Sequence, residues 1–440
     1  MNYFLRNAAL PLAAGAIVIL LLLLPRRASF FHPRTLLLGL TVAYLAITTI
    51  LLSRALSDPD LLGDLTGGDS AHYLSIARQF AAGDFSMSYL SGWPHRQPLY
   101  PFLLSFPTRI GFGGLFWLGA VNIVITLATV LLIYETLNPC ADYRVPIIIA
   151  VLFVLNRFVV EESSQRLVSE PLYMLLTSLA LVQYLKFLRS DKVRSILLTS
   201  ALAGLAYLTR LNGFFFMIGI CATQFCADIP SCVRARFEGL AGRVRLAMRL
   251  AAFAGCVLIF ILTTIPSWVP RLRYHHNPVY CGALVNFLWV DTYNEAHSAG
   301  GMIYSWRDYV HGHTAVDAAK RFAIGLWDVF VRAPIEVEHI PLLYIFSLVG
   351  VYVAFAKGNR SLRLLACVCA SQLLPLVWTS RSNPGVRIPY SAFIPFEIPF
   401  AAFGLQWMLA SKFGARFAAK ETLVEPTGQP EASFGEIARK

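Results

Sequence analysis

Apolar blocks of about 17 to 23 residues, each long enough to cross a hydrocarbon core of roughly 30 Å as an α-helix, recur along most of this chain. Of its 440 residues, 57% are hydrophobic and only 14% are charged. Soluble domains have about 25% charged residues, and a single soluble core could not bury so much apolar surface. The sequence therefore predicts an all-α polytopic membrane protein.

The apolar blocks predict about eleven transmembrane helices. They cover residues 8–24, 35–52, 115–137, 145–160, 167–188, 196–210, 212–227, 250–268, 340–356, 364–380 and 388–410. Residues 196–227 fit two short helices or one broken helix. The first block resembles the apolar part of a signal peptide, but Arg26 and Arg27 follow it in place of a small-residue cleavage site. We expect residues 1–410 to form one transmembrane unit that retains this first helix.

Arginine and lysine residues are concentrated in alternate loops, for example 186–194 and 234–249. The positive-inside rule places these loops and the C-terminus in the cytoplasm. Two long segments, about 53–114 and 269–339, then face outside, while residues 411–440 form a polar tail that we expect to be disordered. The net charge of +12 thus serves topology. Since no continuous basic patch with interleaved aromatics is present, nucleic acid is not an expected partner.

The first outer segment contains the sequence Gly67-Gly68-Asp69-Ser70-Ala71-His72-Tyr73. Two glycines allow a tight turn, and a helix is predicted over about 70–82. Asp69 and Ser70 are residue types that cap helix N-termini, so Asp69 has a structural explanation besides any catalytic one. Both roles are compatible, because capping would hold a carboxylate rigidly at the membrane surface.

Further motifs occur in a fixed order along the chain. They are Asp69 with Tyr73 and Ala77, Gly83-Asp84, Gln97-Pro98-Leu99-Tyr100-Pro101, Ser169-Glu170-Pro171-Leu172-Tyr173, Leu208-Thr209-Arg210-Leu211-Asn212-Gly213, Pro266-Ser267-Trp268 with Arg271, and Arg387 with Pro389 and Pro395. Over about 35–410 this series resembles the GT-C glycosyltransferases, which use polyprenyl-phosphate sugars. The group includes protein O-mannosyltransferases and lipid A aminoarabinose transferases. One departure is Ser70, which stands where many relatives have Glu after the catalytic Asp.

The resemblance implies a transfer reaction in which Asp69 is the general base. A carboxylate can accept the proton of an acceptor hydroxyl as the hydroxyl attacks C1 of the donor sugar. A single displacement of this kind inverts the anomeric centre and needs no carboxylate nucleophile. The predicted substrate-binding residues are Tyr73, His95, Arg96, Glu170, Arg210, Arg271 and Arg387. Arginine suits the departing phosphate because its guanidinium stays charged and binds oxygens in pairs.

The expected partners are a polyprenyl-phosphate-linked sugar donor, a glycan, lipid or protein acceptor, and membrane lipids. By resemblance, the enzyme acts on the periplasmic face of a bacterial inner membrane. A polytopic transporter or flippase and a noncatalytic envelope scaffold remain alternatives. No cofactor is required. A divalent metal stays open, although His275-His276 and His311-x-His313 lack the helical pairing with a nearby acid that is typical of zinc sites.

Overall fold

A computed structural model describes residues 9–23, 33–138, 142–190, 192–235, 239–298, 303–338, 341–383 and 387–410. Throughout these ranges the regular secondary structure is helical, which confirms the predicted all-α class. The predicted polar tail at 411–440 lies outside the described residues.

Nineteen α-helices are described, and we number them in chain order. They are α1 Leu10–Leu23, α2 Pro33–Ser57, α3 Pro59–Thr66, α4 Gly68–Ala81, α5 Leu99–Arg109, α6 Leu115–Leu137, α7 Arg144–Val154, α8 Arg157–Ser164, α9 Glu170–Ser190, α10 Val193–Tyr207, α11 Asn212–Ala235, α12 Gly239–His275, α13 Tyr293–Ser298, α14 Trp306–Gly312, α15 Ala315–Trp327, α16 Ala333–Glu338, α17 Leu342–Ala356, α18 Arg360–Thr379 and α19 Arg387–Ala410. Short 3₁₀ turns cover Ser88–Ser91 and Gly282–Leu288, and a π-helical turn covers Asp328–Arg332.

The eleven predicted crossings all correspond to apolar helices. Six of them, in α2, α6, α9, α12, α18 and α19, are long and apolar enough to cross a membrane. The other five are shorter apolar stretches of 10–17 residues, formed by α1, α7, α10 and α17 and by Asn212–Cys226 in α11. The block at 196–227 is two helices, because the chain turns at residues 208–211 between α10 and α11. The block at 145–160 is interrupted at Asn156, whose side chain caps α8 by accepting a bond from the Phe158 amide.

Close helix packing accounts for the compact bundle. In α17 and α19, Gly350 and Gly404 face each other, and a Cβ at Gly350 would overlap the Phe400 carbonyl. Small residues at such crossings allow the backbones to approach closely, as is usual in membranes. The central helix α9 buries Glu170 at its first residue and Tyr184 near its far end. The bundle therefore holds polar groups at its interior as well as at its ends.

The two long segments contain short helices, as expected. The first includes α3, α4 and α5, and the predicted helix over about 70–82 is α4. The second includes α13 to α16. The first segment contacts the residues before α9 and the turn between α10 and α11, and the second contacts the end of α18. Asp69, Glu170, Arg210 and Arg271 are thereby brought to the same end of the molecule.

Candidate active site

The turn before α4 determines where Asp69 projects. Gly68 has φ +51, a left-handed conformation that favours glycine. A Cβ on Gly67 would lie 2.6 Å from the Gly63 carbonyl oxygen. The prediction that Asp69 or Ser70 caps this helix is wrong, because Gly67 is the N-cap residue and no side chain caps α4. Asp69 instead lies in the first turn, where the helix dipole favours a carboxylate.

Asp69 forms an ion pair with Arg96. The Asp69 side chain is 33% exposed, whereas that of Arg96 is 11% exposed. The guanidinium also donates from Nε to Nδ1 of His72 at 3.3 Å, and it lies over the Tyr73 ring at 5.2 Å from the centroid. Arg96 is thus held on three sides, and the Asp69 carboxylate is the more accessible partner.

Two histidines beside this ion pair are held in the neutral form. Burial, followed by the positive charge of Arg96, lowers the pKa of His72. Burial also lowers the pKa of His95 to about 4, again with Arg96 contributing. His72 stacks on Trp93 at a centroid distance of 4.3 Å. A neutral His72 can accept the Arg96 N–H at Nδ1, so its protonation state is part of the geometry.

Residues from two other loops complete the cluster. The Tyr73 hydroxyl and Ser169 Oγ are 3.0 Å apart. Arg210 lies in the turn between α10 and α11, with Nη1 at 2.6 Å from Glu170 Oε1 and at 3.5 Å from Ser169 Oγ. Glu170 is fully buried. The predicted site residues Tyr73, Arg96, Glu170 and Arg210 therefore lie in one connected network with Asp69.

The segment before α9 is fixed from both sides. Asn122 in α6 is buried and donates from Nδ2 to the Arg166 and Val168 carbonyls at 3.2 and 3.3 Å. Ser70 Oγ accepts a bond from the Leu167 amide at 3.2 Å. Ser70, the departure from the Asp-Glu pattern, is therefore buried and joins α4 to the segment that leads to Ser169.

Three side chains on one face of α12 hold the loop that carries Arg96. Ser267, Arg271 and His275 are spaced four residues apart, so they lie above one another on the helix. Ser267 Oγ donates to Gln97 Oε1 at 3.0 Å, Arg271 donates to the Pro94 carbonyl at 2.7 and 3.0 Å, and His275 Nε2 donates to the Leu90 carbonyl at 2.8 Å. We call these three residues the α12 ladder.

The surroundings of Arg271 differ from those expected for an arginine that binds the donor phosphate. It is fully buried, and its third nitrogen, Nη1, donates to the Ser267 carbonyl at 3.3 Å and to the Ser267 hydroxyl. All three guanidinium nitrogens thus bind within the protein. Arg387 begins α19, and its side chain lies outside the described part of the chain.

Sequence reasoning missed His72, Ser169, Ser267 and His275 as parts of this site. The signal for His72 was its position three residues after Asp69 on a predicted helix, which puts both on one face. No comparable signal marks Ser267 or His275, because their partners are backbone or side-chain groups of a distant loop.

A second ionic cluster is centred on Asp291 in the second long segment, and we call it the Asp291 cluster. Asp291 lies 3.3 Å from Arg321, 3.2 Å from His313 and 3.3 Å from Arg381. Arg321 is fully buried, and its remaining donors bind the Phe287 and Trp378 carbonyls at 2.7 and 2.8 Å. Its guanidinium lies over the Tyr309 and Trp378 rings, at 5.1 and 4.8 Å.

One histidine of each pair considered as metal ligands has other partners. His275 belongs to the α12 ladder, and His313 contacts Asp291 and stacks on Tyr309 at 4.1 Å. Within the described ranges no group of three or more His, Cys, Asp or Glu side chains is placed to hold a metal ion.

An apolar groove between α11 and α12 opens at the same end of the bundle. It has a volume of about 450 Å³, and its lining includes Phe214, Met217, Val257, Phe260 and Trp268. Trp268 Nε1 donates to the Tyr207 hydroxyl at 3.0 Å. Since Tyr207 ends α10, three residues before Arg210, one end of this α11–α12 groove adjoins the ionic network.

Comparisons with known proteins give matches among solved structures alone. No protein-family model matches the chain, and no curated protein matches it. The oligosaccharyltransferase AglB of Archaeoglobus fulgidus, in complex with an inhibitory peptide and a dolichol-phosphate, is 14% identical over 90% of this chain with a TM-score of 0.43. Its apo form is 13% identical over 89% with a TM-score of 0.45.

The apo structure of ArnT from Cupriavidus metallidurans is also similar to this chain. The two are 15% identical, the match covers 84% of this chain and 76% of the ArnT chain, and the TM-score is 0.37. The chain spans about half the length of the oligosaccharyltransferase, 52% and 53% in the two structures. The structural neighbours, AglB and ArnT, are both of the GT-C superfamily. Likenesses with TM-scores below 0.5 carry no argument about activity, so the chemistry rests on this chain's own residues.

Proposed function

We propose that the chain is an inverting glycosyltransferase that moves a sugar from a polyprenyl-phosphate donor to an acceptor hydroxyl, with Asp69 as the general base. The observation that carries this proposal is the partly exposed Asp69 carboxylate, held by Arg96 in a network of buried polar groups at one end of a membrane bundle. A carboxylate in that position is accessible to an acceptor and rigid enough to take its proton.

The surroundings of Asp69 support a lipid-linked donor. The α11–α12 groove is lined by apolar side chains and reaches the turn that carries Arg210. A polyprenyl chain in the groove would place its phosphate beside Arg210 and Arg96, while the sugar lies over Asp69. Cations at this point stabilise the negative charge that develops on the leaving phosphate.

The ion pair suggests an order of events. In the free enzyme Arg96 binds Asp69. A donor phosphate competes for the same guanidinium, because phosphate oxygens also accept charge-assisted bonds from arginine. When Arg96 turns to the phosphate, Asp69 loses this ion pair and becomes a stronger base for the acceptor. Arg271 acts in this proposal as a positioning residue for the loop, through Pro94.

The test is a transfer assay with purified protein in lipid nanodiscs, synthetic polyprenyl-phosphate sugars and a panel of acceptor glycolipids and peptides. The expected result is sugar transfer with inversion at C1, lost in Asp69→Asn and kept in Asp84→Asn, an exposed acid of the same segment. Mass spectrometry of envelope glycans from a deletion strain would identify the sugar and acceptor. Transfer by Asp69→Asn at the wild-type rate would contradict the general-base role.

We also propose that the Asp69 end of the bundle faces the periplasm and that the C-terminus is cytoplasmic. Ser91 and Ser190 are exposed at opposite ends of the described helices. In a cysteine-free background, a membrane-impermeant thiol reagent added to intact cells should label Ser91→Cys and leave Ser190→Cys unlabelled. The reverse labelling would overturn the orientation.

Transport is the second candidate function, and buried acids favour it. Glu397 in α19 is fully buried, and burial raises the pKa of Glu338 at the end of α16. Acids inside a membrane bundle often serve transport. Glu397→Gln discriminates the two functions, because proton-coupled transport requires a titrating group there, whereas sugar transfer at Asp69 should continue at the wild-type rate.

A further inference from the structure

A cavity lies at the end of the bundle opposite to the ionic network. The helices α9 to α12 enclose about 250 Å³. Phe187, from the last turn of α9, and Val193, from the first turn of α10, form part of its wall. Because α9 begins at Glu170 and α10 ends before Arg210, these contributions come from the helix ends that are farthest from Asp69.

The lining of the cavity is suited to an amphiphilic ligand. Its lining is apolar apart from Gln224 in α11 and Arg249 in α12. It also adjoins the α11–α12 groove, since Cys221 and Phe253 line both. A hydrocarbon chain can lie inside the cavity against Ile196 and Ile220, beside a single cationic side chain, without entering the groove.

The position of Arg249 fits a lipid headgroup. Nineteen residues separate it from Trp268 along α12, which at 1.5 Å per residue corresponds to roughly 28 Å. That distance is close to the thickness of a hydrocarbon core, about 30 Å. With Trp268 at one membrane interface, Arg249 lies at the other one, where lipid phosphates are found.

The charge of this end favours an anionic head over a neutral one. Residues 186–194 and 228–249 together contain nine Arg or Lys residues and three Asp or Glu residues. Such basic clusters attract anionic lipids in the cytoplasmic leaflet. A polyprenyl-phosphate donor is not expected here, because the proposed function places its phosphate at the opposite end.

We propose that this cavity binds one anionic phospholipid of the leaflet opposite to the active site, with its phosphate on Arg249 and an acyl chain inside the cavity against Phe187, Ile196 and Ile220. The site is separate from the donor site, and its occupant is a structural or regulatory lipid.

The test uses the full chain, delipidated in detergent, with dioleoylphosphatidylglycerol and dioleoylphosphatidylcholine as probes. Native mass spectrometry should show one retained phosphatidylglycerol, bound more tightly than phosphatidylcholine, and thermal unfolding should shift upward with the anionic lipid. Arg249→Gln should weaken phosphatidylglycerol about fivefold, the effect of one cation near a membrane surface. Arg249→Lys should retain most of the binding, because the charge remains.

Two matched controls separate this site from general effects. Arg194→Gln removes an exposed cation of the same end and should lower retention much less than Arg249→Gln does. Ala252→Trp fills the cavity and should abolish retention of both lipids, whereas Leu250→Trp adds the same ring on the exposed side of α12. Monodisperse elution with unchanged helix content would show that each variant is folded.

Equal retention of the two lipids, or equal losses in Arg249→Gln and Arg194→Gln, would overturn the proposal. Displacement of phosphatidylglycerol by polyprenyl phosphate would also overturn it, since the cavity would then belong to the donor. None of these readouts requires transfer activity, so this inference and the proposed function can fail independently.

Discussion

The two long segments, about 53–114 and 269–339, each pair an aspartate with an arginine that lies over an aromatic ring, yet the two pairs differ in what they leave accessible. In the first, the carboxylate of Asp69 is 33% exposed, and Arg96 has side-chain partners. In the second, Arg321 is fully buried and binds two backbone carbonyls besides Asp291. The same residue types therefore leave a carboxylate accessible in one place and hold chain segments together in the other.

The difference shows that partners, more than composition, decide function at such a site. The carbonyls of Phe287 and Trp378 cannot exchange for a ligand without unfolding their segments. The Asp69 partner of Arg96 can exchange, because a substrate phosphate is a chemically equivalent acceptor. Four experiments test this contrast.

The largest contrast is expected between Asp69→Asn and Asp291→Asn. Asp69→Asn should lower turnover by about 100-fold or more, since the base is lost, with little change in thermal unfolding. Asp291→Asn should leave turnover per folded molecule near wild type and lower stability by about 3 kcal/mol, because it leaves the buried Arg321 without its carboxylate. Transfer assays and thermal unfolding in detergent measure both. If both variants lost activity with no change in thermal unfolding, the two clusters would belong to one active site.

Replacing each guanidinium with an ammonium should separate the clusters again. Arg96→Lys should reduce turnover about tenfold, because lysine keeps the charge and loses the paired bonds to phosphate. Arg321→Lys should reduce stability by about 2 kcal/mol, since it loses bonds to two carbonyls and the stacking on two rings. The midpoint of unfolding and the transfer rate are measured for both. If Arg96→Lys lowered the midpoint of unfolding and left the transfer rate unchanged, the role of Arg96 would be structural.

Arg271 provides a sharper test of what an arginine does near the site. As a ladder residue it should affect kcat, with Arg271→Lys about fivefold slower because one ammonium cannot replace all the bonds to Pro94 and Ser267. Donor affinity should be unchanged in Arg271→Lys. Arg273, exposed two residues later, gives the control variant Arg273→Lys, which should resemble wild type. A specific loss of donor affinity would instead restore Arg271 as a phosphate ligand.

The smallest effect concerns pH. Since burial lowers the pKa of His95 to about 4, the folded protein binds fewer protons than the unfolded chain between about pH 4 and 6.5. The free energy of unfolding is therefore unaffected by His95 above pH 6.5. It decreases as the pH falls towards 4, by an amount on the order of 1–3 kcal/mol. His95→Gln should reduce the acid dependence of thermal unfolding over this interval. An identical pH profile in His95→Gln and wild type would assign the loss to other groups.

The sequence predicts the bundle well because apolar length is a local property. All eleven crossings correspond to helices, and the turn at 208–211 resolves the uncertainty between one helix and two. The grouping of Asp69 with Glu170 and Arg210 was expected from the order of motifs. The order of motifs does not indicate which of these side chains contact each other.

The missed features depend on tertiary packing. Arg96 is 27 residues from Asp69 along the chain, and nothing local specifies that a loop returns it to α4. Arg271 was predicted to bind the donor phosphate, whereas the rotation of α12 turns its guanidinium inward to the Pro94 carbonyl. The cap of α4 was assigned wrongly because Asp and Ser are good capping types, while the close approach of Gly67 to Gly63 decided the local geometry.

The α12 ladder constrains how this gene can change length. An inserted residue between Ser267 and His275 would rotate the later part of the helix by about 100° and shift it by about 1.5 Å. At least one of the three bonds to the Arg96 loop would then be lost, however well the new residue suited a helix. An insertion between Arg249 and Ser267 would instead keep the ladder intact and turn the lipid-facing groove away from its partner α11. Many substitutions along α12 would leave these contacts in place, whereas an insertion or deletion would break some of them. The spacing between Arg249, Ser267 and His275 is therefore more constrained than most of the residues between them.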